Sequence, residues 1–355
     1  MSRRRALGDL GCALRGHPPA EANWFEVLRL ANQALVTPEL HSRAGGAGLP
    51  GEVRAFTTEV LARNRERNRR LFAQLAETLR ALNAAGIEPV LLKGAAVWAS
   101  AGAPDVFDRM LTDLDLLVRP DQGPRAVEAL AGAGFGVVNA YGGPEVHVIA
   151  ELARPDDVGL IDLHQRPPGP PGMAEIANLE DHCQSFDWRG ARALTPEPAV
   201  QVFLLVLHDQ FHDGDYWRGG FTVRHLLDIE RLAAGVDWDH LARLARTRLV
   251  ANAVQAELVA AHRLVGAKAP EAVLRSRWPR LQYARQFLQF SHPAFGLPLA
   301  AFGVLSELPS ILSHARANAA DRRRMFGYGR SPGARLTDRW DRARQILGGA
   351  AVGKI

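Results

Sequence analysis

The stretch Leu111-Thr112-Asp113-Leu114-Asp115-Leu116-Leu117-Val118 decides how this chain is read. Acid and leucine alternate in it, which is a strand pattern. Side chains at i and i+2 leave the same face of a strand, so Asp113 and Asp115 project together while Leu114 and Leu116 turn to the core. Two carboxylates one pleat apart can share hard divalent cations, and Mg²⁺ is ordinarily held by one or two carboxylates plus substrate phosphates. Alone, such a pair is equally a polar strand end beside a turn, so its neighbours carry the argument.

Upstream, Leu91-Leu92-Lys93-Gly94-Ala95-Ala96 is an apolar strand that breaks through glycine into a helix. A glycine there lets backbone N–H groups approach phosphate oxygens, and a helix N-terminus favours an anion. Lys93 is one of three lysines among 43 basic residues. A lysine at this turn, in a chain that otherwise uses arginine, suggests a compact ammonium on a phosphate. Downstream, Gly159-Leu160-Ile161-Asp162-Leu163-His164 sets a single acid in an apolar strand. Burying a carboxylate is costly unless it is paired or metal-bound. If this strand lies beside the first, Asp113, Asp115 and Asp162 converge. His164 is expected on the opposite strand face from Asp162, packed or hydrogen-bonded. Arg109 reads two ways, as a clamp on a triphosphate or as a partner of Asp105 or Asp108.

The periodicity outside these segments is mostly helical. Phe72, Leu75, Leu79 and Leu82 form one stripe of a helix over 52–85. Its arginines, Arg63, Arg65, Arg67, Arg69 and Arg70, are expected on a solvated face. Short strands are expected at 87–92, 110–118, 135–139, 145–152 and 158–163, with one more hairpin arm at 186–194 and helices at 121–131, 198–210, 222–234 and 238–264. The fold class is therefore α+β: a small mixed sheet with a helical N-terminal lead-in and a mostly α-helical C-terminal domain. The expected division is 1–85, 86–195, 196–325 and a basic tail at 326–355, with a Pro/Gly connection at 167–172. His208 and His212 lie four apart with Asp209, Asp213 and Asp215 nearby. That spacing can ligate a metal, but no second ligand pair is evident in the sequence. With Trp217 they are read instead as a candidate acceptor or base pocket. Arg224 and Asp228, at i and i+4, read as an intrahelical pair.

Glycine turn, DxD strand and a third acid on a later strand resemble the signature of the nucleotidyltransferase superfamily that includes DNA polymerase beta. More closely, the chain resembles a bacterial family of uncharacterised nucleotidyltransferases. That family carries a Lys-Gly turn, an Arg two to four residues before the DxD, a run like DLDLLV and a later hydrophobic-acid-Leu-His strand. Here these are Lys93-Gly94, Arg109, Asp113 and Asp115 with Leu116-Leu117-Val118, and Asp162-Leu163-His164. The likeness continues through His208, the segment Arg224 to Ile229 and Asp237-Trp238, from residue 22 to residue 265. It implies transfer of a nucleoside monophosphate from an NTP, ATP being the expected one, to a hydroxyl or similar group of a small-molecule, peptide or protein acceptor, with release of pyrophosphate. The implied cofactor is Mg²⁺, with Mn²⁺ as the alternative. Asp113 and Asp115 would hold both metals, and Asp162 would complete the second site or take the acceptor's proton. Lys93, Gly94, Ala95 and Arg109 would bind the nucleotide. The superfamily's turn is commonly Gly-Ser or Gly-Gly. Gly94-Ala95 lacks the serine hydroxyl, a loss for which Lys93 would compensate. The alternative is a silent module of the same fold that binds nucleotide or a partner protein.

Composition narrows the classes further. The chain has 355 residues, 47% hydrophobic and 23% charged, about two domains at roughly 150 residues each. Wholesale disorder and fibrous sequence are excluded. Cys12 and Cys183 are too few and too far apart for a disulfide scaffold or a thiolate zinc site. Arg3-Arg4-Arg5 is followed by Ala6-Leu7-Gly8-Asp9, which breaks any apolar signal core, so a soluble cytoplasmic protein is expected. The net charge is +5, but nine arginines and Lys354 face three aspartates from residue 316 onward, which leaves the preceding body at −2. A near-neutral body argues against a dedicated polynucleotide polymerase, whose groove must be basic.

Overall fold

The computed structural model describes residues 3–101, 107–142, 147–168, 176 and 178–317. The basic tail, most of the loop 102–108 and most of the Pro/Gly stretch 167–172 lie outside the described residues. Three short helices, α1 (Arg3–Leu14), α2 (Trp24–Gln33) and α3 (Thr37–Arg43), precede the 34-residue helix α4 (Gly51–Ala84). Helix α1 has no counterpart in the sequence expectations. Its apolar residues Leu7, Leu10 and Leu14 lie at helical spacing, and all are buried.

The sheet region runs β1 (Val90–Leu91), α5 (Lys93–Ser100), β2 (Asp113–Leu117), α6 (Gly123–Gly132), β3 (Gly136–Ala140), β4 (Val148–Ala153), β5 (Leu160–His164), β6 (Cys183–Trp188) and β7 (Ala191–Pro196). Seven strands form one mixed sheet in the order β3-β4-β5-β2-β1-β7-β6. The pairs β2/β5 and β1/β7 are parallel and the rest antiparallel. Strand β1 is shorter than the expected 87–92, with only Val90 and Leu91 in the ladder, because Pro89 has no N–H to give and contributes only its carbonyl, to Leu194. The expected single hairpin arm is a complete hairpin, β6 and β7.

The C-terminal part holds α7 (Pro198–Leu207), a π-helical turn (His208–His212), α8 (Asp215–Arg218), α9 (Val223–Leu232), α10 (Trp238–Leu244), α11 (Arg248–Val265), α12 (Glu271–Arg275), α13 (Arg277–Ser291) and α14 (Gly296–Ala317). The single helix expected at 238–264 is two, because Thr247 leaves the helix and its side chain accepts from the Val250 N–H, capping α11. The fold is α+β, as the strand and helix periods imply. Among the described residues, no helix is long and apolar enough to cross a membrane.

Two features place the functional strands. Trp98 of α5 stacks on Phe72 of α4 with ring centroids 4.0 Å apart, and Phe186 and Trp188 of β6 meet it edge-on. That aromatic cluster fixes α5 between the long helix and the sheet. The polar side of α4 does the rest, and here the expectation of a merely solvated arginine face is corrected. Arg67 donates to the carbonyls of Leu111, Thr112 and Val158, Asn68 to those of Phe107 and Arg109, and Gln74 to that of Gly159. Arg65 pairs with Asp108 at 2.6 Å. These carbonyls belong to the segments leading into β2 and β5, where no strand neighbour can satisfy them, so side-chain donors take that task. Arg63 and Arg69 pair only within α4, with Glu59 and Glu66.

Candidate active site

Parallel pairing of β2 with β5 sets Asp115 opposite Asp162 and Leu117 opposite His164. Asp113, Asp115, Asp162 and His164 therefore share one face. His164 was expected on the other face from Asp162; two residues apart on a strand, they point the same way. The antiparallel neighbour β4 sets Glu151 opposite Asp162, so a row of acids, Glu151, Asp162 and Asp115, crosses three strands. Glu151 accepts from Asn139 Nδ2 at 2.6 Å and from Tyr141 Oη at 2.8 Å. Sequence reasoning missed it. The signal was present, since Glu151 is a lone acid in an apolar strand just as Asp162 is.

Asp115 is buried, and both Lys93 Nζ (2.7 Å) and His164 Nε2 (2.9 Å) reach its Oδ1. The carboxylate requires that His164 carry its proton on Nε2. Burial disfavours the charge of Asp115, but Lys93 and His164 outweigh it and hold this carboxyl well below its usual range. Burial likewise opposes the charge of Lys93, and the carboxylates of Asp115 and Asp113 overcome it, raising the ammonium pKa. Asp162 goes the other way: burial, then the charges of Asp115 and Asp113, push it up to about 7. The ligand atoms of Asp115, Asp162 and His164 all lie within 4.8 Å of one another.

Lys93 opens α5 with φ of 46°, a left-handed conformation that favours glycine. The glycine beside it serves packing. A Cβ on Gly94 would overlap the Arg109 guanidinium and Leu111. Arg109 is buried, and its Nε lies 2.8 Å from both carboxylate oxygens of Asp228 on α9. The expected pairing of Arg109 with Asp108 is thereby corrected, because Arg65 has taken Asp108; Asp105 lies outside the described residues. The expected Arg224–Asp228 pair is corrected as well, since Asp228 is shared between Arg109 and Arg231. Arg224 instead donates to the Met110 carbonyl at 3.3 Å, and its buried Nε has no hydrogen-bond partner among the described residues. Burial and then the nearby Arg109 lower its pKa, while Asp228 and Asp113 draw it back up. Ala95 is buried within α5, so only its backbone can meet a ligand.

The π-helical turn carries His208 and His212 to the same side as His147 and His164. Ring centroids are 5.3 Å apart for His208 and His212, 4.6 Å for His147 and His212, and 5.7 Å for His147 and His164. Burial, reinforced by His212 and His164, depresses His147 to about 3. The expected third member of this group, Trp217, packs against the hydrophobic core beside Tyr216, with ring centroids 4.9 Å apart.

Residues 20–266 match the protein family described as uncharacterised nucleotidyltransferases. The chain belongs to that family. The matched residues of this nucleotidyltransferase include every strand of the sheet, the acids of β2 and β5, the Lys93 turn and the histidine-bearing π turn. No curated protein matches the chain. Two solved structures are similar to it: the antibiotic-resistance factor ANT(2'')-Ia in solution, and ANT(2'')-Ia in complex with adenylyl-2''-tobramycin. They share 14% and 15% identity over 49% of this chain, cover 89% and 94% of their own, and each has a TM-score of 0.37. A likeness that shallow carries no argument about the nucleotidyltransferase's substrate.

Proposed function

We propose that this nucleotidyltransferase moves a nucleoside monophosphate from an NTP, ATP in the first instance, to a hydroxyl or similar group of a small-molecule, peptide or protein acceptor. The observation that carries this reading is the register of β2 on β5, which sets Asp113, Asp115 and Asp162 on one face beside Lys93. The donor set suits a hard divalent cation. It consists of oxygen ligands, and Asp162, raised by burial and then by the charges of Asp115 and Asp113, is a carboxylate that a bound cation would stabilise. Asp113, Asp115 and Asp162 would hold Mg²⁺, or Mn²⁺. Bound there, two such ions neutralise a triphosphate and lower the pKa of an attacking hydroxyl.

The chain's own residues supply positioning and proton transfer. Lys93 and the backbone N–H groups of Gly94 and Ala95, at the start of α5, meet phosphate oxygens. Arg224, close enough to Asp113 to feel its charge, adds its guanidinium charge toward the same anion. Arg109 acts one step back, holding the Gly94 turn and α9 in place through Asp228. His208 and His212 bound the acceptor side. The acceptor oxygen bonds to the α-phosphorus, the bond from that phosphorus to the bridging oxygen breaks, and pyrophosphate leaves with the electron pair. The acceptor's proton passes to the Asp162 carboxylate.

The test is pyrophosphate release with Mg²⁺, each NTP in turn and a broad acceptor panel. Asp113→Asn and Asp115→Asn are expected to abolish release. A second reading is favoured by one observation: Asp115 Oδ1 is already matched by Lys93 and His164. A silent nucleotide-binding or partner-binding module would show tight NTP or partner binding without turnover across the whole panel.

A further inference from the structure

The π turn after α7 assembles metal-ligand chemistry beyond what bounding the acceptor requires. The ligand atoms of His208, His212 and Asp213 lie within 4.8 Å of one another. Zn²⁺ takes nitrogen and oxygen ligands at about 2.0–2.2 Å in tetrahedral geometry, which sets neighbouring ligand atoms about 3.3 Å apart and two ligating imidazole centres about 5 Å apart. His208 Nδ1 and Asp213 Oδ2 are separated by 3.2 Å, and the His208 and His212 ring centres by 5.3 Å. Just before β4, the His147 ring packs edge-on against His212 with centres 4.6 Å apart, which lines the approach to this group. Asp209 is buried beside the turn, lies 3.2 Å from the same His208 Nδ1 and accepts from His225 Nδ1 at 2.9 Å with both oxygens, which adds a further oxygen donor next to His208. A π-helical turn is rare and recurs at functional sites.

We infer that His208, His212 and Asp213, with water in the fourth position, form a second cation site for a borderline transition-metal dication such as Zn²⁺, separate from the carboxylates of β2 and β5. Imidazole nitrogen selects such ions over Mg²⁺, which prefers oxygen. The His147 ring, 4.6 Å from His212 and 5.7 Å from His164 by ring centres, lies between this group and the histidine of β5. The inference deepens the acceptor-side role of His208 and His212 and rests on that role only for what the ion would face. Ion binding itself is independent of the carboxylates.

The experiment strips the full-length protein with a chelator, then measures Zn²⁺ by equilibrium dialysis and Co²⁺ by visible absorption. The wild type is expected to hold one tight equivalent of Zn²⁺ and to give the intense Co²⁺ bands of a four-coordinate site. His212→Ala and Asp213→Asn are expected to weaken Zn²⁺ at least ten-fold and to lose those bands, while Asp115→Asn keeps both. His212 is exposed, so its variant is expected to keep the wild-type circular dichroism even if a buried replacement such as His208→Ala does not fold. Unchanged Zn²⁺ affinity in His212→Ala, or loss confined to Asp115→Asn, overturns the inference. Absence of turnover in the wild type with the Zn²⁺ equivalent intact counts against the proposed nucleotidyl transfer and leaves the cation site standing.

Discussion

Lys93 Nζ lies 2.7 Å from Asp115 Oδ1, and the lysine reaches it from a backbone conformation that L-residues avoid. With φ of 46°, Lys93 carries a steric penalty of about 1–2 kcal/mol that glycine would escape. The side chain is retained because its ammonium balances a buried carboxylate. Lys93→Ala and Lys93→Gly both remove the ammonium, but only alanine keeps a Cβ in the left-handed region. Lys93→Gly is therefore expected to be about 1 kcal/mol more stable than Lys93→Ala in urea denaturation. Both should lose most nucleotidyl transfer, with a raised KM for the NTP. Equal stability of the two variants would remove the strain argument.

Asp162 gives the site a pH signature. Its folded pKa of about 7 stands above the ordinary carboxyl value of 3.8, so between those values the folded chain holds a proton that the unfolded chain has released. The contribution of Asp162 to stability is full below pH 3.8 and is lost as pH rises through about 7. The stability of the wild type minus that of Asp162→Asn should accordingly fall between pH 5 and pH 8. Millimolar Mg²⁺ should reverse that fall, since bound cations favour the ionised carboxyl. Urea midpoints for both proteins across this range decide it, and a difference that rises with pH counts against the arrangement.

Arg109, Asp228 and Gly94 are expected to behave as one unit. Removing one member of a buried ion pair leaves the other uncompensated and costs about 3–5 kcal/mol, whereas replacing both with apolar residues is often nearly neutral. Asp228→Leu should be severely destabilising and Arg109→Met/Asp228→Leu much less so. Gly94→Ala forces a methyl group against the Arg109 guanidinium, at a cost of about 1–3 kcal/mol. That cost should shrink in the Arg109→Met/Asp228→Leu background, and a double-mutant cycle between Gly94 and Arg109 measures the coupling.

How much of this was legible in the sequence depended on the range of the interaction. The acids of β2 and the lone acid of β5 announced themselves through alternation, because strand periodicity is local. The α4 stripe was equally plain. Partners across the fold were not legible: Arg109 finds Asp228 and Arg67 finds Val158, contacts that no spacing rule anticipates. The arginines of α4 looked like solvated charge because a sequence shows which residues are polar and not which carbonyls lack a strand neighbour. Glu151 was overlooked because its meaning depends on β4 pairing with β5. The π turn is not legible either, since i, i+4 histidines do not reveal that His147, just before β4, will pack against His212.

Arg224 carries the last expectation, and it combines stability with binding. Its Nε is buried without a hydrogen-bond partner among the described residues, and Arg109 lies close enough to lower its pKa. An unsatisfied donor beside a like charge destabilises the free protein, and a triphosphate bound by the outer guanidinium N–H groups would offset the like charge. Charged hydrogen bonds contribute about 1.5–3 kcal/mol, which corresponds to roughly 10- to 100-fold in affinity. Arg224→Met should therefore weaken NTP binding by about that factor while leaving the unliganded protein as stable as the wild type or more so. Calorimetric titration with a non-hydrolysable NTP analogue measures the first effect, and thermal denaturation without nucleotide the second. If Arg224→Met lowers the melting temperature and leaves NTP affinity intact, the residue is structural and the phosphate contact belongs to Lys93 and the backbone of the Gly94 turn.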